Sequence, residues 1–174
     1  DDFVGGTLPI TLVAAGTEGD AGSGNVTPGL PAGIARNDIL ICICHSSDQV
    51  SHSMTGDWTQ IVNGNGGGTT SHLSVWWHRY DGITSPSATI THSAGAGISA
   101  GVAAFRGCKA GGSPVNVAGT INGGNTDTNI THTGVTVTVD ACLLLAINGS
   151  ADDNNRTLLS GWTNVFEDSG AGTN

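Results

Sequence analysis

The stretch DILICIC (residues 38–44) decides the fold, because an acid opens a run that is apolar at every following position. A strand that is apolar on both faces is covered on both sides, so this run predicts the central strand of a sheet. Trp58 follows it in GDWTQIV, after a polar loop. The same order returns where Asp140 opens DACLLLAI and Trp162 lies in SGWTNV. The repeat predicts two related halves, each with a central strand and a tryptophan that closes one end of the core.

The composition is typical of one all-β domain. A chain of 174 residues can bury a real core, and 28 of its residues are glycine. Thr, Val and Ile, which favour strands, are common, whereas Lys, Glu, Gln, Arg and Met, which favour helices, are scarce. Clusters of Gly, Asn, Ser and Asp separate the apolar runs and are typical of turns. We therefore expect many short strands and almost no helix.

About ten segments have the composition of β-strands. They are residues 10–15, 38–44, 58–62, 72–80, 87–92, 98–107, 113–119, 130–139, 141–147 and 162–166. No helical segment alternates with them, so they predict an antiparallel two-sheet β-sandwich that is jelly-roll-like. We expect a single domain over residues 1–174, with residues 1–8 as an extended N-terminal arm. Whether the C-terminus is complete stays open.

The charge of the chain excludes nucleic acid as a partner. Five Lys and Arg stand against 14 Asp and Glu, so no basic stripe is available to neutralise phosphates. The longest apolar, uncharged stretch, AGAGISAGVAAF (residues 94–105), is too short and too rich in Gly to cross a bilayer. We expect neither a nucleic-acid nor a membrane partner. The acidic, Thr-rich composition suits an extracellular or particle-exterior location.

Histidines and cysteines suggest a metal site, but their spacing argues against one. In CICHSSDQVSH (residues 42–52), Cys-x-Cys-His puts the second cysteine and the histidine on opposite strand faces, which is poor geometry for tetrahedral zinc. We expect the four cysteines to be buried free thiols. We expect the histidines to lie at the surface or in loops. These histidines are His45, His52, His72, His78, His92 and His132.

The remaining motifs do not predict an enzyme or a cofactor. GISAG (residues 97–101) matches the nucleophile-elbow pattern, but an elbow requires a helix after its turn, and here an apolar strand continues. Acidic loops contain Asp127, Asp152 and Asp153, yet their spacing is not that of a dedicated calcium loop. We expect no cofactor, with calcium at these loops as the alternative.

The segment HLSVWWHRY (residues 72–80) is the best candidate for a surface contact. Side chains alternate along a strand, so its Leu, its Val and the second Trp share one face, which we expect to meet the core. The opposite face then displays Trp76, His78 and Tyr80. Such a strip could stack on sugar rings or contact a neighbouring subunit. The alternative is that the chain's own loops cover it.

Two of the five basic residues, Arg79 and Arg106, lie at predicted strand ends beside aromatic residues. A guanidinium there can stack on a ring and connect loop carbonyls with Asp38 or Asp140. We therefore expect both arginines to have structural roles.

The order of these phrases resembles a widespread group of tailed-phage virion proteins. The phrases are ITLVAAGT, VTPGLPAGIARNDILICIC, GDWTQI, LSVWWHRYDG, SATITH, GVAAFRGC, SPVNVAG, VTVDACLLLAI and SGWTNV. The most specific pieces are LPAG (residues 30–33) leading to Asp38, WHR (residues 77–79) and FRG (residues 105–107). Members of the group run one or two strands beyond the last Gly-x-Trp-Thr, and this sequence departs from them there.

This resemblance implies a non-enzymatic structural protein of a tailed bacteriophage particle, in which Trp58 and Trp162 are fold landmarks. It implies a capsid decoration (cement) protein or a tail or fibre component on the exterior of the virion. Its partners would be the major capsid or tail protein and further copies of the chain, for instance in a trimer. The alternative function is a carbohydrate-binding adhesion module on the particle or cell surface. In that case Trp76, His78 and Tyr80 would contact a host glycan.

Overall fold

The computed structural model describes residues 9–66, 71–122, 132–149, 157 and 160–165, and within them the chain is all-β. Eight strands and no helix are present in these ranges, which confirms the predicted fold class with fewer strands than the ten expected. None of the described residues forms a helix that could cross a membrane. The strands are β1 (Thr11–Ala15), β2 (Gly19–Ala21), β3 (Ile39–Ser46), β4 (Ser53–Met54), β5 (Thr59–Asn65), β6 (His72–Arg79), β7 (Ile90–Thr91) and β8 (Ile98–Arg106).

The strands form two antiparallel sheets, as predicted. The large sheet has six strands in the order β1-β8-β3-β6-β5, with β2 also paired to β8, and the small sheet consists of β4 and β7. The first strand therefore pairs with the last, the third pairs with the sixth, and Val26 after β2 bridges to Ile90 in β7. Early strands nested against late strands in this way are typical of a jelly roll.

The DILICIC run is the central strand of the large sheet, as its sequence predicts. Over its whole length β3 pairs with β6 on one side and with β8 on the other. Leu40, Cys42 and Cys44 are fully buried on one face, and Ile39 and Ile41 are buried on the other. The expectation of buried free thiols is confirmed for these two cysteines, whereas the free thiol of the later Cys142 is exposed.

Both faces of the large sheet are covered. On the first face, side chains of the small sheet and its flanking loops, among them Val26, Ala88 and Ile90, complete a core. On the second face, Ile147 and Val165 from the later part of the chain pack against the buried residues. Short side chains dominate β8, which leaves room for the covering layers and fits the interpretation of its sequence as a core strand.

Where the structure describes it, the later part of the chain does not repeat the strands of the first. Its described residues, 107–122, 132–149, 157 and 160–165, contain no strand. The strands expected within 113–119, 130–139, 141–147 and 162–166 are therefore wrong at the residues that the structure describes. At those residues the second of the two related halves has no central strand.

The reason for this difference lies in the neighbouring strands. The first apolar run is buried because β6 and β8 flank it, whereas no described strand lies beside residues 141–147. In that second run Leu144 is 57% exposed. Trp58 closes the first core as expected, and its indole nitrogen donates to Ser87 O at 2.8 Å. Trp162 is instead 41% exposed.

Three expectations fall on residues outside the described ranges: the N-terminal arm at residues 1–8, the C-terminal end beyond residue 165, and the candidate calcium ligands Asp127, Asp152 and Asp153.

Candidate functional site

The strand predicted to carry a surface contact is covered on both faces. Trp76 is 3% exposed and belongs to the first core, His78 is buried, and Tyr80 is half-buried. We expected Trp76 at the surface because the sequence pattern indicates that only one face of its strand meets the core. In the structure the small sheet covers the other face as well. The His78 ring lies 5.4 Å from the Trp58 ring, which places it inside the same end of the sandwich. This strand therefore offers no aromatic platform for a sugar. The structure agrees with the alternative, in which other parts of the chain cover the strand.

A cluster of three buried histidines is the most unusual feature of the molecule. His52, His72 and His92, the histidine cluster, are each no more than 3% exposed. Loop or surface positions were expected: His52 and His92 do lie in loops but are buried, and His72 lies in β6. The ring centroid of His52 lies 4.8 Å from that of His72 and 5.4 Å from that of His92, both edge to face. Of the other histidines, only His132 is fully at the surface.

Strand ends bring the three histidines together. His72 begins β6 and lies opposite Ser46, the last residue of β3. His52 directly precedes β4 and His92 directly follows β7, and the pairing of Ser53 with Thr91 puts them side by side. The histidine cluster therefore lies where the small sheet meets the large sheet.

His52 is held between two serines of the large sheet. Its Nδ1 lies 3.0 Å from Ser74 Oγ and its Nε2 lies 2.9 Å from Ser46 Oγ. Both serines are completely buried, so no solvent reaches these contacts.

The protonation state of His52 follows from two opposing effects. The serine hydroxyls also donate outward, to Asp48 and Asn63, so a doubly protonated imidazole could donate to both serines. That extra hydrogen bond from a charged donor contributes about 1.5–3 kcal/mol, whereas sealing a charge from water costs several kcal/mol. Burial accordingly lowers the pKa of His52 to about 3, and the nearby His72 and His92 lower it further. The neutral imidazole is the stable form.

His72 connects the histidine cluster to β5. Its Nδ1 lies 2.6 Å from Asn65 Oδ1, and its Nε2 bonds to Asn63 Oδ1. The amide of Asn63 donates in turn to the backbone carbonyl of His52 at 3.0 Å, which fixes the orientation of that amide. Burial lowers the pKa of His72.

His92 hydrogen-bonds to the carboxylate of Asp48. Its Nε2 lies 3.0 Å from Asp48 Oδ2, and its Nδ1 is buried without a hydrogen-bond partner in the described part of the chain. Asp48 also accepts the hydroxyl of Ser46 at 2.9 Å and the backbone N–H of Val50 at 3.0 Å. Burial acts to raise the pKa of Asp48, but these hydrogen bonds and His92 outweigh it, so the pKa lies below its ordinary value.

Serine, histidine and aspartate meet here without forming a catalytic triad. A triad requires the carboxylate to orient the histidine that activates the serine. Here Asp48 contacts His92 and Ser46, whereas the serine-bound imidazole belongs to His52. The serine oxygens are sealed from solvent, and no group of His, Cys, Asp and Glu among the described residues has the arrangement of a metal site. The arrangement is suited to holding two sheets together and to responding to protons.

The opposite end of β3 carries the expected arginine contact. Arg106 at the end of β8 binds both carboxylate oxygens of Asp38 and also donates to Gly33 O at 3.0 Å. Asp38 Oδ2 further accepts the backbone N–H of Ala35 at 2.7 Å. Burial acts to raise the pKa of Asp38, but Arg106 and the Ala35 N–H lower it more.

The other residues expected to share in this contact lie elsewhere. Arg79 donates to Gly112 O at 3.1 Å, so it too fixes a loop. Asp140, the counterpart of Asp38 in the second copy, is exposed.

The chain matches no family model, no curated protein and no solved structure.

Sequence reasoning missed the histidine cluster, although a signal for it was present. HSSDQVSH (residues 45–52) places two histidines, an aspartate and serines directly after a buried strand. What the sequence does not reveal is the pairing register that brings His72 and His92 to the same point.

Proposed function

We propose that this chain is a non-enzymatic structural protein of a tailed bacteriophage particle, acting through protein–protein contacts. It would serve as a capsid decoration (cement) protein or as a tail or fibre component. The order of sequence phrases that resembles tailed-phage virion proteins supports this assignment, as does the all-β sandwich.

Exposed apolar side chains carry the proposal. Within residues 137–145, two valines and three leucines are between 36% and 57% exposed, and Trp162 is exposed as well. Exposed apolar side chains gathered in one region are typical of surfaces that contact another protein. We call residues 137–145 the contact segment. It is the candidate site of contact with a virion partner.

The edges of the large sheet support the same function. The strands β1 and β5 are the two ends of the described strand order, so each has one side without a paired strand among the described residues. An exposed strand edge can accept a strand from another chain. A symmetric oligomer, for instance a trimer, would use such edges repeatedly.

The polar residues favour a scaffold over an enzyme. The serines, histidines and Asp48 that could support acid–base chemistry bond to one another inside the fold. A decoration protein needs no such chemistry, because a protein that binds only the assembled shell stabilises it by mass action.

Cryo-electron microscopy of phage particles purified from the source of this sequence tests the proposal. Hundreds of copies on the shell are expected for a decoration protein, and a small ring of copies at the tail is expected for a tail component. In either case the contact segment should face a neighbouring protein. Particles that lack the polypeptide, or copies whose contact segment faces solvent, would contradict the proposal.

A further inference from the structure

The histidine cluster is a polar connection between the two sheets. His52 and His92 flank the two ends of the small sheet that lie side by side, whereas their partners Ser46, Ser74 and Asp48 belong to the large sheet or directly follow it. The small sheet itself contains only two residue pairs. At this end, which we call the junction, histidine hydrogen bonds hold the small sheet to the large sheet.

Among the described residues, imidazoles outnumber carboxylates at the junction. Three histidines act electrostatically on His52: His72 and His92 of the histidine cluster, and His45 of β3. In the part of the chain that the structure describes, the acid that acts on His52 and His72 is Asp48, which is already bound to His92, Ser46 and the Val50 N–H. The adjacent strand β5 contributes amides, and β8 places Ile98 and Ser99 opposite the end of β3. The acid on the next strand along, Asp20 of β2, lies opposite Ser99, which in turn lies opposite His45. Among the described residues, the one carboxylate acting on His52 and His72 can balance one imidazolium, so a second proton on these two rings finds no further counter-charge there.

Apolar contacts hold the rest of the small sheet. Ile90 is fully buried and exchanges two backbone hydrogen bonds with Val26, and Trp58 bonds to Ser87 nearby. The far end of β3 is held by the Arg106–Asp38 pair. These contacts do not involve a histidine, so they stay intact in the pH range in which imidazoles take up protons.

We propose that the histidine cluster is an acid-sensitive junction. Protonation of a buried imidazole separates this end of the small sheet from the end of the large sheet, while the rest of the sandwich stays folded. An opened junction lets the imidazoles take up protons in water. The open form therefore binds more protons than the closed form, and acid shifts the equilibrium towards opening.

Native-state hydrogen exchange of the whole chain tests the junction. The quantity to measure is the opening constant of the amides at residues 53–54 and 91–92, after correction for intrinsic exchange. As the pH falls from 6 to 5, this constant is expected to rise about tenfold for each extra proton that the open form binds. This exchange should not depend on low concentrations of urea, because a local opening exposes little surface. Amides of β3 should exchange only through a urea-dependent global opening. Junction amides with no response to pH, or with the urea dependence of β3, overturn the proposal.

A second measurement needs no variant. The ring resonances of His52, followed by NMR from pH 7 to 5, should keep their neutral shifts in the closed form, because burial lowers the pKa of this ring to about 3. A His52 ring that titrates above pH 6 without any opening of the junction overturns the proposal.

The matched variants are His52→Gln and His132→Gln. A glutamine can still bond to one serine but takes up no proton, so His52→Gln should reduce the pH response of the junction amides by up to tenfold per pH unit. His132→Gln, at an exposed position, should leave that response as in the wild type. Equal responses in the two variants contradict the assignment of the response to the histidine cluster.

Discussion

Arg106 and Asp38 form a two-bond ion pair that connects the end of β8 to the start of β3. The guanidinium Nε lies 2.9 Å from Oδ1, and a terminal nitrogen lies 2.7 Å from Oδ2. The carboxylate is 1% exposed, whereas half of the arginine side chain is in solvent. The arginine thus caps a buried acid from outside, and it fixes the loop before β3 through Gly33.

Replacing Arg106 by alanine should lower the melting temperature by several degrees, because Asp38 is left buried without its cationic partner. Differential scanning calorimetry at pH 7 measures the change. Lys109→Ala removes a positive charge from an exposed position three residues away and serves as the control, with an expected change near zero. An unchanged melt for Arg106→Ala would show that the ion pair has no structural role.

Replacing one leucine in each apolar run by alanine should show that the first run is buried and the later run is exposed. Leu40 is fully buried in β3, so Leu40→Ala should lower the free energy of unfolding by about 2–5 kcal/mol. Leu144 is mostly exposed, and Leu144→Ala should change that free energy by less than about 0.5 kcal/mol. Urea titrations of both variants measure the difference. A similar loss in both would mean that the later run is buried after all.

The contrast between these two leucines shows what the sequence alone could predict. DILICIC and DACLLLAI have nearly the same pattern, and the pattern correctly predicts that the first is a central strand. It does not say whether neighbouring strands exist, and for residues 141–147 the described structure provides none. Burial of an apolar run depends on such neighbours, which are distant in sequence.

The sequence alone could not predict the histidine cluster, because the cluster also depends on residues that are distant in sequence. His72 meets Ser46, and Ser53 meets Thr91, because of strand registers that span tens of residues. A shift of one residue in either register would turn the histidine to the opposite face. By contrast, the Arg106–Asp38 pair was accessible from the sequence, since so few basic residues are available to an acid that opens a buried strand.

Global stability should decrease with acid in two steps, the first from the histidines and the second, at lower pH, from the aspartates. His52 has a pKa of about 3 in the folded state against 6.5 as its ordinary value, and the pKa of His72 is lowered as well. The unfolded chain therefore binds more protons as the pH falls below 6.5, and stability falls by up to about 1.4 kcal/mol per pH unit for each such proton. The pKa values of Asp38 and Asp48 are lowered from 3.8, so their contributions are lost only below that value.

Urea titrations between pH 8 and 4.5 check this prediction, because only histidines change protonation over most of that range. His52→Gln should have a shallower slope of unfolding free energy against pH than the wild type. A wild-type slope of zero between pH 6.5 and 5 would contradict the lowered histidine pKa values.

Placing a charge in the contact segment should weaken association without affecting folding. Leu144→Asp introduces a carboxylate into an exposed apolar position, where desolvation in an interface would be costly. We expect sedimentation velocity to show a wild-type oligomer and a Leu144→Asp variant that dissociates at concentrations at least tenfold higher, with unchanged melting temperatures. Thr136→Asp, which adds the same charge at an exposed polar position next to the contact segment, is the matched control and should associate as the wild type does. Equal weakening by both variants would point to a general effect of charge, and a wild type that is monomeric at all concentrations would remove the oligomer from the proposed function.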